Sequence, residues 1–140
     1  MTGVLTSPQD AEAAFYRAFA DRDLDSMHRI WADSPQTMCI HPGGSLLRGT
    51  ADILQSWNEI LSNAVLPDIH YQVLHSQLSS DVSIHTVQEA IRPAHSEKTP
   101  TIVISTNIYQ KLAAGWHIII HHASLPLVDR NESEPARNLH

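Results

Sequence analysis

Ten histidines stand among the 140 residues. Imidazole changes charge near neutral pH, so acid–base and metal chemistry are the first to weigh. His41 precedes Pro42-Gly43-Gly44 at the end of a short apolar run, where its ring can cap loop backbone or face a hollow. Asn107 interrupts the β-branched run from Thr101 to Leu112; Val or Thr would fill a strand better there, and a buried amide needs partners. Tyr109, two residues on, shares its strand face and offers either a pocket hydroxyl or a packed ring. His121 and His122 are adjacent in a strand-like run, so one faces inward and the other outward. Glu89 lies between Gln88 and Ala90: inward it is an acid–base candidate, outward an ordinary sheet carboxylate, and the reading leans outward. Trp31 and Trp57 fall on helical apolar stripes and read as core that can double as pocket wall. Tyr16 and Arg17 read as a helix flank, and Cys39 as a small buried residue.

No His-x-His or Cys-x-x-Cys pair gathers two ligands locally, so no metal site is expected, although His41, His122 and Glu89 could in principle converge. No cofactor is expected either. Charged residues make up 17%, below the usual quarter, which leans toward surface covered by a partner subunit or a ligand. A formal net charge of −6 with no basic run argues against a nucleic-acid footprint or a polybasic membrane contact. A lone cysteine excludes an intrachain disulfide, and residues 1–10 show no basic-then-apolar leader; a cytoplasmic protein is expected.

These residues need elements to hold them. Ser7 can cap a helix with Pro8 at its first position and Asp10 in its first turn. Ala11, Ala14, Phe15, Ala18 and Phe19 then recur at helical spacing. A second short helix follows Asp23, with Leu24, Met27, Ile30 and Trp31 on one face, and Pro35 stops it. Short strands are expected at Thr37 to Ile40 and Leu46 to Arg48, and Thr50 can cap a third helix carrying Ile53, Leu54, Trp57, Ile60 and Leu61. The period then changes to two. Strands are expected over Asp68 to Leu78, Val82 to Arg92, Thr101 to Leu112 and Trp116 to Leu125, the last two joined at Ala113-Ala114-Gly115, where a bulge would exchange the facing of neighbouring residues. From Asp129 the chain is polar, so the expectation is one domain over 1–128 and a flexible tail over 129–140. Three helices and a long meander make an α+β domain, a cone-shaped curved antiparallel sheet wrapped around its helices.

Phe15-Tyr16-Arg17-Ala18-Phe19, Asp23-Leu24-Asp25, Ile30-Trp31-Ala32-Asp33, Cys39-Ile40-His41-Pro42-Gly43, Leu47-Arg48-Gly49, Ser56-Trp57, Thr106-Asn107-Ile108-Tyr109, Gly115-Trp116 and His121-His122-Ala123-Ser124 follow one another along nearly the whole chain. In this order they resemble the nuclear transport factor 2-like superfamily, and within it the SnoaL-like and ketosteroid-isomerase-like domains. The resemblance implies a conical α+β barrel, a pocket between sheet and helices, and a homodimer through the outer sheet face. It sets His41 where the isomerases carry a carboxylate base and Asn107 where they carry a protonated carboxyl donor. It sets Phe15 where they carry a phenol. These three departures exclude steroid isomerisation as such. It also favours His122, with Ile120 and Ser124, as pocket-facing. Two expectations follow. One is a domain that binds a small, partly apolar organic molecule against Trp31, Trp57, Tyr109, Ile120, His122 and Glu89. The other is a cofactor-free isomerase, cyclase or dehydratase with His41 as general base and Asn107 as oxyanion donor.

Overall fold

The computed structural model describes residues 4–126; the expected tail at 129–140 lies outside them. Helix α1 (Pro8–Ala20) begins as its punctuation predicts: Ser7 Oγ accepts the Asp10 amide at 3.0 Å, with Pro8 in the first turn. Its buried face is broader than the predicted stripe and includes Glu12 and Tyr16 beside Ala11, Phe15, Ala18 and Phe19. Helix α2 (Leu24–Ile30) is capped by Asp23, which accepts the Ser26 amide. Helix α3 (Thr50–Leu61) starts differently from expectation. Gly49, at φ +84°, is its cap, and Thr50 is its first residue. The Thr50 hydroxyl instead ties down the preceding loop, accepting from the Ser34 amide at 2.9 Å and donating to the Ala32 carbonyl at 2.8 Å.

Strands β1 (Met38–Ile40), β2 (Leu47–Arg48), β3 (Asp68–Leu78), β4 (Val82–Arg92), β5 (Thr101–Leu112) and β6 (Gly115–Ser124) form one sheet in the order β2-β1-β6-β5-β4-β3. All neighbours are antiparallel except β1 and β6, which run parallel with Cys39 opposite His121. The sheet curves around the helices, and its inner face shares a core with Phe15, Phe19, Met27, Ile30, Trp31, Ile53 and Trp57.

Two bulges break the alternation. One sits at Leu74 in β3, the other in β6, where Tyr109 pairs with Ile118 but Ile108 with Ile120. Ile119 is the extra residue. Beyond it the facing of β6 is reset, so His121 is buried and His122 exposed.

Candidate functional site

A hollow of about 390 Å³ opens between α1, α3 and the inner sheet face, walled by Phe15, Phe19, Trp57, Ile60 and Val103 among others. Its polar lining is Tyr16, His41, Glu89 and His121, with Asn63 and Thr101 at exposed positions. The rings meet edge to face: Phe15 and Trp57 have centroids 5.5 Å apart, and His41 lies 4.8 Å from Trp57. Tyr71 stacks on Tyr16 at 4.2 Å. A second hollow of about 540 Å³ shares Tyr16, Phe19, Leu66, Pro67 and Ile69 with the first. Its far side carries Arg22 and His95, but neither Glu89 nor His41 nor His121 reaches it. The smaller hollow holds the chemistry.

Behind that lining runs a buried chain of hydrogen bonds. Tyr16 donates to Glu89 Oε2 at 2.5 Å, and Ser105 donates to the same oxygen at 3.0 Å. Asn107 Nδ2 donates to the Tyr16 oxygen at 3.1 Å and, more weakly, to Glu12 Oε2 at 3.4 Å. Asn107 Oδ1 can only accept, so the 2.6 Å contact is a donation from His121 Nδ1–H, leaving Nε2 as the bare nitrogen. Tyr109 donates to Glu12 Oε2 at 2.8 Å. His85 bridges Glu12 Oε1 and Ser83 Oγ, each at 2.9 Å. Glu12, His85, Glu89, Asn107 and His121 each keep no more than 3% exposure, so these bonds are what makes burying such polar groups tolerable.

Ser83, His85 and Glu12 stand in the order of a nucleophilic triad. The Ser83 hydroxyl, however, donates to the Gln77 carbonyl at 3.3 Å, and Ser83 lines neither hollow. The trio braces α1 against β4.

The electrostatics follow from burial. Desolvation raises the Glu89 carboxyl above its ordinary range, partly offset by the hydrogen bonds from Tyr16 and Ser105. Burial pushes His121 down to about 3, with His41 and His122 adding to the effect, so its ring is neutral. His41 is also lowered by burial. Its Nε2 meets Ser56 Oγ at 2.9 Å, and that hydroxyl gives its own proton to the Ile53 carbonyl at 2.6 Å. Nε2 therefore carries the hydrogen and Nδ1 is bare. Burial pushes the Cys39 thiol up to about 12, so it is no nucleophile near neutrality.

Several sequence expectations need correction. Glu89 points inward, because β4 buries its odd-numbered residues Ser83, His85, Val87 and Glu89. His121, not His122, lines the hollow, because the bulge at Ile119 resets β6. Ile120, opposite outward-facing Ile108, goes with His122 to the outer face. Asn107 is buried behind the lining with both amide hydrogens and its oxygen committed, so it cannot receive an oxyanion. Trp31 and Tyr109 are core residues that do not reach the hollow. Tyr16 is part of the site rather than a flank. His41 and Trp57 line the hollow. Among the described residues no group of three or more His, Cys, Asp or Glu is placed to hold a metal; His41 and Glu89 are on the opposite side of the sheet from His122. Glu12 and His85 went unread, although a carboxylate inside the stripe Ala11-Glu12-Phe15-Tyr16 and the alternation Ser83-His85-Val87-Glu89 both carried a signal.

A curved sheet closed over three helices, with a polar-floored hollow between, defines a conical α+β barrel of the nuclear transport factor 2-like kind. The SnoaL-like domain family matches residues 9–128, and the chain belongs to it. Among similar solved structures is a Thiobacillus denitrificans protein provisionally named as a calcium/calmodulin-dependent protein kinase type II association domain. It is 32% identical, with a TM-score of 0.82 over 89% of this chain and 99% of that one. A Streptomyces avermitilis protein provisionally named as a dehydratase of the same superfamily is 27% identical, with a TM-score of 0.72 over 84% of this chain and 92% of that one. The Arabidopsis thaliana F-box protein SKIP8 is 26% identical over 115 residues, 82% of this chain and 48% of that protein. The chain thus spans about half the length of that curated relative.

Proposed function

We propose that the hollow binds a small, partly apolar organic molecule, its body against Phe15, Phe19 and Trp57 and its polar end against Glu89, His121 and His41. One observation carries this reading: an apolar-walled cavity of about 390 Å³ ends on three titratable side chains drawn from β4, β6 and the loop after β1. That is the composition of a ligand site, a mostly apolar wall with a few convergent polar groups. The test is Val103→Trp, which fills the hollow from β5. Ligands recovered by native mass spectrometry from the wild-type protein should be absent from the variant, while its circular dichroism is unchanged. Equal recovery from both proteins sinks the reading.

Acid–base catalysis is the second reading, and a specific feature favours it. Burial moves Glu89 up and His121 down within one cavity, the separation that assigns acid and base roles in such sites. Here Glu89 donates a proton to the bound molecule, and His41 Nδ1 or His121 Nε2 accepts one. Asn107 positions His121 and takes no proton.

We further propose that a second copy of the chain covers the outer sheet face. Ile84, Ile102 and Ile104 are 38%, 36% and 39% exposed there, beside Ile108 and Ile120. The association-domain name of the 32% identical relative is in keeping with this. A reducing, cytoplasmic setting fits the free, buried Cys39.

A further inference from the structure

Resting on the ligand-binding reading, we infer that the ligand of this hollow is an organic ammonium, a primary or secondary amine carrying an apolar group. The argument is a count of donors and acceptors. The Tyr16 hydrogen is spent on Glu89 Oε2. The His121 Nδ1 hydrogen is spent on Asn107 Oδ1, and the His41 Nε2 hydrogen on Ser56 Oγ. The atoms left without a hydrogen of their own are His121 Nε2, His41 Nδ1 and Glu89 Oε1, on three residues that line the hollow. The Cys39 sulfur lies 4.0 Å from His41 Nδ1.

These atoms are not sealed in. Among the described residues, the buried side-chain polar atoms without a partner are the indole nitrogens of Trp31 and Trp57. Glu89 Oε1 and His121 Nε2, which have no hydrogen-bond partner among the described residues, are not among them, and both residues line the hollow.

Among the described residues no Lys or Arg lines the cavity, and the His121 ring is neutral there. The site therefore presents imidazole acceptors and one carboxyl to whatever enters, and no fixed positive charge. Phe15, Phe19 and Trp57 wall the hollow, and aromatic ring faces attract an ammonium. An ammonium supplies two or three donors and the charge that an ionised Glu89 lacks. A carboxylate ligand would meet Glu89 with nothing to offset it. The chain's net charge of −6 also draws cations toward the surface.

The groups facing Glu89 are Tyr16 and Glu12 on α1, Tyr71 on β3, Ser105 on β5 and His121 on β6. None is a cation when His121 is neutral, so an entering ammonium would be the compensating charge.

The experiment titrates the whole chain with three probes of one size at pH 7.5, benzylamine, benzyl alcohol and benzoate, followed by calorimetry and ligand-observed NMR. Benzylamine should bind about tenfold or more tighter than benzyl alcohol, and benzoate weakest. Glu89→Gln, folded by circular dichroism, should bring benzylamine affinity to within about twofold of that for benzyl alcohol. Should that variant misfold, the wild-type protein supplies the second measurement: as pH is lowered from 7.5 and Glu89, raised above its ordinary range by burial, takes up its proton, benzylamine affinity should fall while benzyl alcohol affinity stays level. Benzyl alcohol or benzoate binding as tightly as the amine overturns the inference and leaves the ligand-binding reading standing. An amine preference that survives Glu89→Gln, or one that stays unchanged as pH is lowered with a misfolded variant, also overturns it. Failure of all three probes to bind overturns both.

Discussion

Asn107 shows how one side chain organises a site it does not touch. Its amide joins Tyr16, Glu12 and His121, so a shape-matched apolar replacement strips a partner from three buried groups at once. Asn107→Leu should lower unfolding stability by roughly 3 kcal/mol, read by urea denaturation. His121 gives a pH signature. Its folded value, about 3 against an ordinary 6.5, means that the folded chain binds fewer protons than the unfolded one between those values. Its stabilising share is thus complete above pH 6.5 and is lost as pH falls toward 3. Between pH 6.5 and 5 the loss should approach about 2 kcal/mol. Glu89, raised from 4.5, acts in the opposite sense: its share is complete below 4.5 and is lost as pH rises through its folded value. His121→Gln keeps a hydrogen-bonding side chain and Glu89 alike, so its stability should fall less than wild type over that window; parallel pH profiles would contradict the assignment.

At the scale of elements, the start of α3 and the bulge in β6 do the positioning. Gly49 caps α3 at φ +84° and ψ 148°, a region nearly closed to residues with a Cβ. A Cβ there meets nothing within 4 Å, so the cost of Gly49→Ala is conformational alone. It should be about 2 kcal/mol by thermal or urea unfolding, with loss of ligand affinity because α3 carries both Trp57 and the Ser56 that orients His41. Gly115 is tighter: an added Cβ would sit 2.7 Å from the Leu5 carbonyl oxygen, so Gly115→Ala should destabilise more than Gly49→Ala. The order of the two midpoints checks the comparison. The bulge at Ile119 has the largest chemical consequence of any single residue in β6, since it selects which of two adjacent imidazoles faces the hollow.

For the whole molecule, the uncovered feature is the outer sheet face, where Ile84, Ile102 and Ile104 from β4 and β5 lie open beside Thr106 and Gln88. If a second copy covers it, Ile104→Glu should shift the mass measured by light scattering at micromolar concentration from dimer to monomer. The hollow, on the other side of the sheet, should keep its ligand affinity. A wild-type monomer under those conditions would remove the proposal. Coupling between the faces is expected to be small, because β4 and β5 present alternate residues to each and the inner set is already held by hydrogen bonds.

Period and punctuation carried the elements. Ser7-Pro8, Asp23, Pro35 and the change from helical to alternating spacing after Pro67 located three helices and four long strands, with the boundaries of Asp68–Leu78, Val82–Arg92 and Thr101–Leu112 as observed, because these signals are local and short-range sterics act on them directly. The order of short motifs carried the fold, and the presence of a polar strand residue at Asn107 carried the expectation of buried partners. The tertiary structure alone decided which faces those residues took. A single extra residue at Ile119 reversed His121 and His122, and the pairing of β4 between β3 and β5 turned Glu89 inward. Glu12 and His85, 73 residues apart, were joined at 2.9 Å. Facing in a sheet depends on register, and register is set by neighbours distant in the chain, which no local spacing records.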